Sequence, residues 1–303
     1  MHVRRARRVS SVFFILAIVA LCFSAGASAE DKTGLKIAAT IFPLADIAQH
    51  IASSEPMGFK PGGGEAKVIT ILPAGANPHT FELAPQAVKE LEGSRIIFMI
   101  GRGLDNWVKA SGESLSKVKT VTVDEGIDLV KLGGEDPHYW LSIANAKIVA
   151  KNIARALAEL EPEKKDQFQS NLDRYLRQLD ETDRSIRKML SNLPARKIIT
   201  FHDGWRYFAR DYGLEVVGNV ESSQGSEPTP KRLAHLGNVI REQKIKVLFS
   251  EPAVSKTVAE SVAKDFQLRL YELDPMGGSG NRKSFLGLML ANAHTIREAL
   301  SNG

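Results

Sequence analysis

From Glu163 to Leu193 the chain sets apolar side chains at Phe168, Leu172, Leu176, Leu179, Ile186, Leu190 and Leu193, at intervals of 4, 4, 3, 7, 4 and 3 residues. That is the spacing of a single helix face. At 1.5 Å per residue such a helix runs roughly 45 Å, the length of a lobe or more. It constrains the fold more than any other feature, because the flanking segments must pack along a stiff rod and cannot swing on a loose tether. The opposite face carries Asp173, Arg177, Asp180 and Arg184 as ordinary solvated charge. One apolar stripe beneath a charged face suits packing within the molecule better than a coiled-coil dimer, so a monomer is expected.

On both sides of this rod, short β-branched runs alternate with longer helical patterns, the mark of α/β layering. Before it, strands are expected at Lys36–Thr40, Lys67–Leu72, Arg95–Ile100 and Thr120–Val123, with helices at Leu44–Ala52, Pro85–Glu92 and Leu104–Ser116. After it, strands are expected at Lys197–Phe201, Glu215–Gly218, Lys246–Ser250 and Arg269–Leu273, with helices at Gly204–Tyr212, Lys231–Gln243, Val258–Phe266 and Ser284–Ser301. The fold class is therefore α/β: two similar α/β lobes, residues 30–162 and 194–303, joined by a long rigid helix over residues 163–193.

The N-terminus reads as a signal peptide, residues 1–29. Arg4, Arg5, Arg7 and Arg8 precede an apolar run from Val12 to Phe23, too short to span a membrane, and Ala27-Ser28-Ala29 supplies the small-residue cleavage pattern. Cleavage after Ala29 into the periplasm is expected. Cys22, the single cysteine, is preceded by Leu21 where lipid attachment wants a small residue. Loss of the four arginines lowers the formal net charge from +5 to +1, and the cysteine leaves too. A near-neutral chain of about 270 residues gives no electrostatic case for nucleic acid. Without thiols, any metal must sit on imidazole and carboxylate.

Four such residues fall just beyond expected strand ends, where open α/β sheets bind ligands. His79 lies in the turn-rich segment after Leu72, stiffened by Pro73 and Pro78. His138 lies in Asp136-Pro137-His138, a second rigid turn ahead of a helix. His202 ends the strand Lys197–Phe201, and Asp274 ends the strand Arg269–Leu273. Each half contributes two. Three neutral imidazoles and one carboxylate make a set suited to zinc and acceptable to manganese or iron. Because an imidazole must be neutral to coordinate, capture is expected to weaken as pH falls through about 6.5. His50, His235 and His294 fall within helical patterns and are read as structural or exposed.

At these residues the chain resembles the zinc and manganese solute receptors of ABC importers, the TroA-like or ZnuA-like proteins. The motifs are Asn77-Pro78-His79-Thr80-Phe81-Glu82, Gly103-Leu104-Asp105-Asn106-Trp107, Asp136-Pro137-His138-Tyr139-Trp140-Leu141, Phe201-His202-Asp203-Gly204-Trp205-Arg206-Tyr207-Phe208 and Leu273-Asp274-Pro275-Met276-Gly277, within a resemblance running from about Leu35 to Leu300. The resemblance implies a metal site in the cleft between the lobes, held by residues matching His79, His138, His202 and Asp274. Zn2+ is then a transported ligand, with Mn2+ as the alternative. The implied partner is the membrane permease of an ABC importer, and a periplasmic metallochaperone is a second candidate. Two features depart from the pattern or refine it. Asp124–Asp136 lacks the histidine-rich loop of many zinc members, whereas His202 stands where manganese members often carry glutamate, which favours zinc. The glycine-rich stretch Ser53–Glu65 reads as a tolerated insertion or a partner contact.

A zinc hydrolase is the main rival, since a metal on three histidines can activate water. The chain lacks His-Glu-x-x-His, and four ligands fill a tetrahedral shell. Glu251, after the strand Lys246–Ser250, is the best spare carboxylate, and is read as orienting a ligand or capping the next segment. Gly101-Arg102-Gly103 fails the dinucleotide fingerprint because Asn106 replaces its third glycine.

Overall fold

The structure, a computed structural model, describes residues 34–53, 66–110, 115, 117–131, 134–221, 228–280 and 282–301. The expected signal peptide and nearly all of the Ser53–Glu65 stretch lie outside these residues. Among the described residues no helix is long and apolar enough to cross a membrane.

Two four-stranded parallel sheets carry the fold. The first holds β1 (Leu35–Ala39), β2 (Ala66–Thr70), β3 (Ile96–Met99) and β4 (Lys119–Thr122) in the order β2-β1-β3-β4. The second holds β5 (Lys197–Thr200), β6 (Glu215–Asn219), β7 (Val247–Ser250) and β8 (Arg269–Glu272) in the order β6-β5-β7-β8. The orders are the same once the strands of each half are counted from its start, so the two halves share one topology without a visible sequence repeat. β3 and β7 are buried along their whole length, as strands covered on both faces must be, and their sequences are almost wholly apolar.

Helices cover these sheets. α1 (Phe42–Ala52) buries all but one of its residues. α2 (Pro85–Leu91) and α3 (Trp107–Ala110) are short. α4 (Ile143–Leu160) starts at Ser142, whose hydroxyl accepts from Asn145 N, a standard cap for orphaned helical amides. α5 (Lys165–Leu190) is the rod, and packs against α1, α4 and α9. α6 (Arg206–Tyr212), α7 (Pro230–Gln243), α8 (Lys256–Asp265) and α9 (Phe285–Ser301) complete the second half. One core cluster runs from Ile37 and Phe98 through Phe168, Leu179 and Ile186 to Phe249 and Phe285. Residues 34–303 accordingly form a single compact unit.

The rod is shorter than expected at both ends. Pro162–Lys164 forms a separate 3-10 turn, since proline is tolerated only in a first turn, and α5 stops at Leu190. The expected helix over Leu104–Ser116 begins only at Trp107, as α3, and 111–114 and 116 lie outside the described residues. Asp105 explains the late start: its carboxylate accepts from Ile100 N at 2.6 Å, Gly101 N at 2.9 Å and Thr40 Oγ1 at 2.8 Å. Those bonds hold residues 101–103 in a left-handed run, with φ of +76°, +53° and +87°. α4, 18 residues long, is not among the helices assigned from sequence, although its helix is the one that the turn at His138 precedes.

Candidate metal centre

His79 follows β2 in the loop 71–84. Asn77 Oδ1 accepts from His79 N at 2.9 Å, and Trp107 Nε1 donates to Pro78 O at 3.2 Å. His138 sits before a 3-10 turn, Tyr139–Leu141. Asp136 Oδ1 accepts from its backbone N at 2.9 Å and lies 2.7 Å from its Nδ1. A proton on Nδ1 facing Asp136 leaves Nε2 as a bare donor aimed into the site, the carboxylate–histidine arrangement of metal ligands. His202 follows β5 directly and is buried. Its Nδ1 is buried without a hydrogen-bond partner among the described residues.

The three rings meet. His138 Nε2 stands 3.1 Å from His79 Nε2 and 3.0 Å from His202 Nε2, and one ligand nitrogen from each ring lies within 4.8 Å of the others. Two nitrogens bound to one tetrahedral zinc at about 2.05 Å lie about 3.3 Å apart. The observed spacing is within a few tenths of an ångström of that. Burial, and then the neighbouring His138, push the His79 imidazole down to about 3. The same causes, with His79 added, push His202 down to about 2. Both are therefore neutral donors well below neutral pH, including His79, which keeps a solvent-exposed edge.

Asp274 follows β8 and is buried, but its carboxylate does not join the three nitrogens in the structure. Oδ1 accepts from Met276 N and Gly277 N, both at 2.9 Å, and Oδ2 lies 3.2 Å from Arg282 Nη1. Asp274 lines a neighbouring cavity of about 170 Å³ together with Pro78, Glu251, Met276 and Arg282. A smaller cavity of about 10 Å³ is walled by His138, His202, Gly204, Glu251 and Met276. That volume admits about one water-sized body, the size of an ion. A far larger groove, about 810 Å³ along β2, touches none of the histidines, so size does not mark the site.

Three contributors are not singled out by the sequence reading. Asp136 orients His138. Gly204 gives the rings room, because a Cβ there would crowd them at 3.2 Å from His202 Cδ2 and 3.3 Å from His138 Cδ2. Trp140 Nε1 donates to Pro275 O at 2.8 Å, tying the His138 turn to the Asp274 loop. Glu251 is buried and accepts from Trp205 Nε1 at 2.8 Å. Burial, then Glu221 and Asp274, raise it to about 8. His50 lies away from the centre, stacked on Tyr175 at 4.6 Å with Asp46 3.8 Å from its Nε2.

The chain is 30% identical over 317 residues to the metal ABC transporter substrate-binding lipoprotein FimA of Streptococcus parasanguinis, covering 98% of this chain and 99% of that one. It is 30% identical over 306 residues to the manganese ABC transporter substrate-binding lipoprotein PsaA of Streptococcus anginosus, covering 95% and 96%. A crystal structure of ZnuA superposes with a TM-score of 0.78 at 29% identity, covering 88% of this chain and 100% of that one. Residues 37–299 match the family model described as zinc-uptake complex component A, periplasmic. The chain therefore belongs to that family, the substrate-binding receptors of metal ABC importers.

Proposed function

We propose that this protein captures Zn2+ outside the cytoplasmic membrane, on His79, His138, His202 and Asp274, and passes it to the permease of an ABC importer. Family membership makes it a metal receptor and not an enzyme. The observation that supports the zinc reading is the convergence of three Nε2 atoms, with His138 Nε2 at 3.1 Å from His79 and 3.0 Å from His202, a borderline-soft nitrogen set of the kind zinc accepts. The two sheets act as lobes, 30–162 and 194–303, on either side of the centre. Mn2+ is the second reading, favoured by the relative named for manganese. Elemental analysis of the protein purified without added metal, followed by zinc and manganese titration of wild type and His138→Ala, tests both. Tight zinc binding lost in the variant is expected, and manganese bound more tightly than zinc would replace the first reading with the second.

For location, relatives named as lipoproteins support an extracytoplasmic protein. Cleavage after Ala29 is proposed, leaving Glu30 first. The intact mass of the exported protein checks this, and a lipid-modified Cys22 at the N-terminus would overturn it. A periplasmic metallochaperone remains a proposed second partner, to be sought by metal transfer between purified proteins.

A further inference from the structure

Asp274 differs from the three histidines in how its donor atoms are used. Met276 N and Gly277 N both donate to Oδ1 at 2.9 Å. Asn292 clamps the residue's backbone, accepting from Asp274 N at 3.0 Å and donating to its carbonyl at 2.7 Å. The carboxylate is thus fixed, and only Oδ2 is not taken up by the backbone. Arg282 Nη1 stands 3.2 Å from it, with side-chain exposures of 19% for the arginine and 7% for the aspartate. An ion pair this shielded is held more firmly than the weak pairs of an open surface. Arg282 also has a second carboxylate within reach, Glu272 Oε1 at 3.5 Å. The loop that carries it is seated on α1: a Cβ at Gly277 or Gly278 would meet the Phe42 ring at 3.3 and 3.2 Å.

A guanidinium and a divalent cation cannot share one carboxylate oxygen without mutual repulsion at short range. An imidazole carries no negative charge when it coordinates, so the only anionic ligand in the proposed set is the one Arg282 holds. We propose that Arg282 is a competing cation built into the centre. A metal ion gains Asp274 Oδ2 by displacing the guanidinium toward Glu272, and the guanidinium retakes Oδ2 as the ion leaves. Arg282 is then a positioning residue that lowers affinity and speeds release, a useful property in a receptor that must hand its cargo on. This rests on Asp274 being the fourth ligand, as proposed above.

The test is zinc affinity by competition with a chromophoric chelator, and release rate by stopped-flow transfer to excess EDTA, for Arg282→Gln, Arg282→Lys, Asp274→Asn and the Arg282→Gln/Asp274→Asn pair. Arg282→Gln is expected to bind zinc about tenfold more tightly or better, about 1.4 kcal/mol, and to release it correspondingly more slowly. Arg282→Lys, which keeps the charge but loses the planar fork, falls between it and wild type. In the Asp274→Asn background the glutamine substitution changes nothing. If Asp274→Asn binds as wild type does, the ligand set fails and this inference with it. If Asp274→Asn weakens binding while neither arginine variant binds zinc more tightly than wild type, only the inference is overturned.

Discussion

At position 204 a single methyl group decides whether two imidazoles keep their spacing. Its Cβ would stand 3.2 and 3.3 Å from ring carbons of His202 and His138, so both rings would have to give. Gly204→Ala is expected to weaken zinc affinity about tenfold, at the low end for perturbed ligand support, with little change in the melting temperature of the metal-free protein. Unchanged affinity in a chelator competition would show that the rings have room to spare. Asp136→Ala should cost about 10- to 100-fold in affinity, because His138 loses both its backbone bond and the partner on Nδ1. Retained far-ultraviolet dichroism would separate that loss from unfolding, and wild-type affinity would remove Asp136 from the site. The meeting of the three rings could be anticipated in part: His79 and His202 follow strands, whose ends can be read from apolar runs, while His138 is marked only by its proline-stiffened turn. Asp136 was half legible, as an aspartate two residues before His138. Gly204 and Arg282 were not, since their roles depend on segments brought together only by folding.

At the scale of elements, the central strands were the most legible, because burial on both faces leaves an unbroken apolar run, as in β3 and β7. α5 was legible through its stripe, yet the stripe hides one polar member that matters. Asn171 is buried on α5, and its Nδ2 donates to Ile51 O at 2.9 Å and Ser53 O at 2.8 Å. It thereby satisfies carbonyls that the end of α1 leaves without helical partners. Asn171→Leu, which keeps the branch at Cγ but is bulkier and cannot donate, should destabilise by at least about 1–3 kcal/mol, the cost of burying unpaired carbonyls. Leu179→Ala, at a fully buried position, should cost about 2–5 kcal/mol through lost burial and a residual cavity. Urea denaturation with an unchanged slope checks both. An Asn171→Leu protein as stable as wild type would mean that those carbonyls find other donors. α3 starts later than expected for the opposite reason: Asp105 is tied back to Thr40, Ile100 and Gly101, which keeps 104–106 in a turn where local propensity suggests helix.

At the scale of the molecule, the two halves are bound to each other by more than the rod. Trp140 donates to Pro275, Tyr207 Oη donates to Asp136 O at 2.8 Å, and Asp46 Oδ2 accepts from Phe285 N at 2.9 Å. Metal capture should therefore change the radius of gyration little, and a large compaction in small-angle scattering would contradict this. The same packing sets the pH dependence. The expectation that capture weakens near pH 6.5 assumes ordinary imidazoles, whereas burial lowers His79 to about 3 and His202 to about 2, so these two compete with protons only in strong acid. For stability, buried groups pull in opposite directions. His50 and His202, lowered to about 4 and 2, bind fewer protons folded than unfolded, so they favour the fold above pH 6.5 and cost stability as pH falls below it. Asp46 has the reverse sign. Burial raises it from 3.8 to about 7, against the Phe285 amide that lowers it. It binds a proton in the fold that the unfolded chain has released, so its contribution is whole below 3.8 and is lost as pH rises through about 7. Asp46→Asn keeps an acceptor for Phe285 N and removes the titration, while the histidines stay common to both proteins. The difference in stability between variant and wild type should therefore grow in the variant's favour from pH 4 to pH 7, at no more than about 1.4 kcal/mol per pH unit. Urea melts in the presence of a chelator measure it, and parallel pH profiles would mean that Asp46 is ionised in the fold throughout.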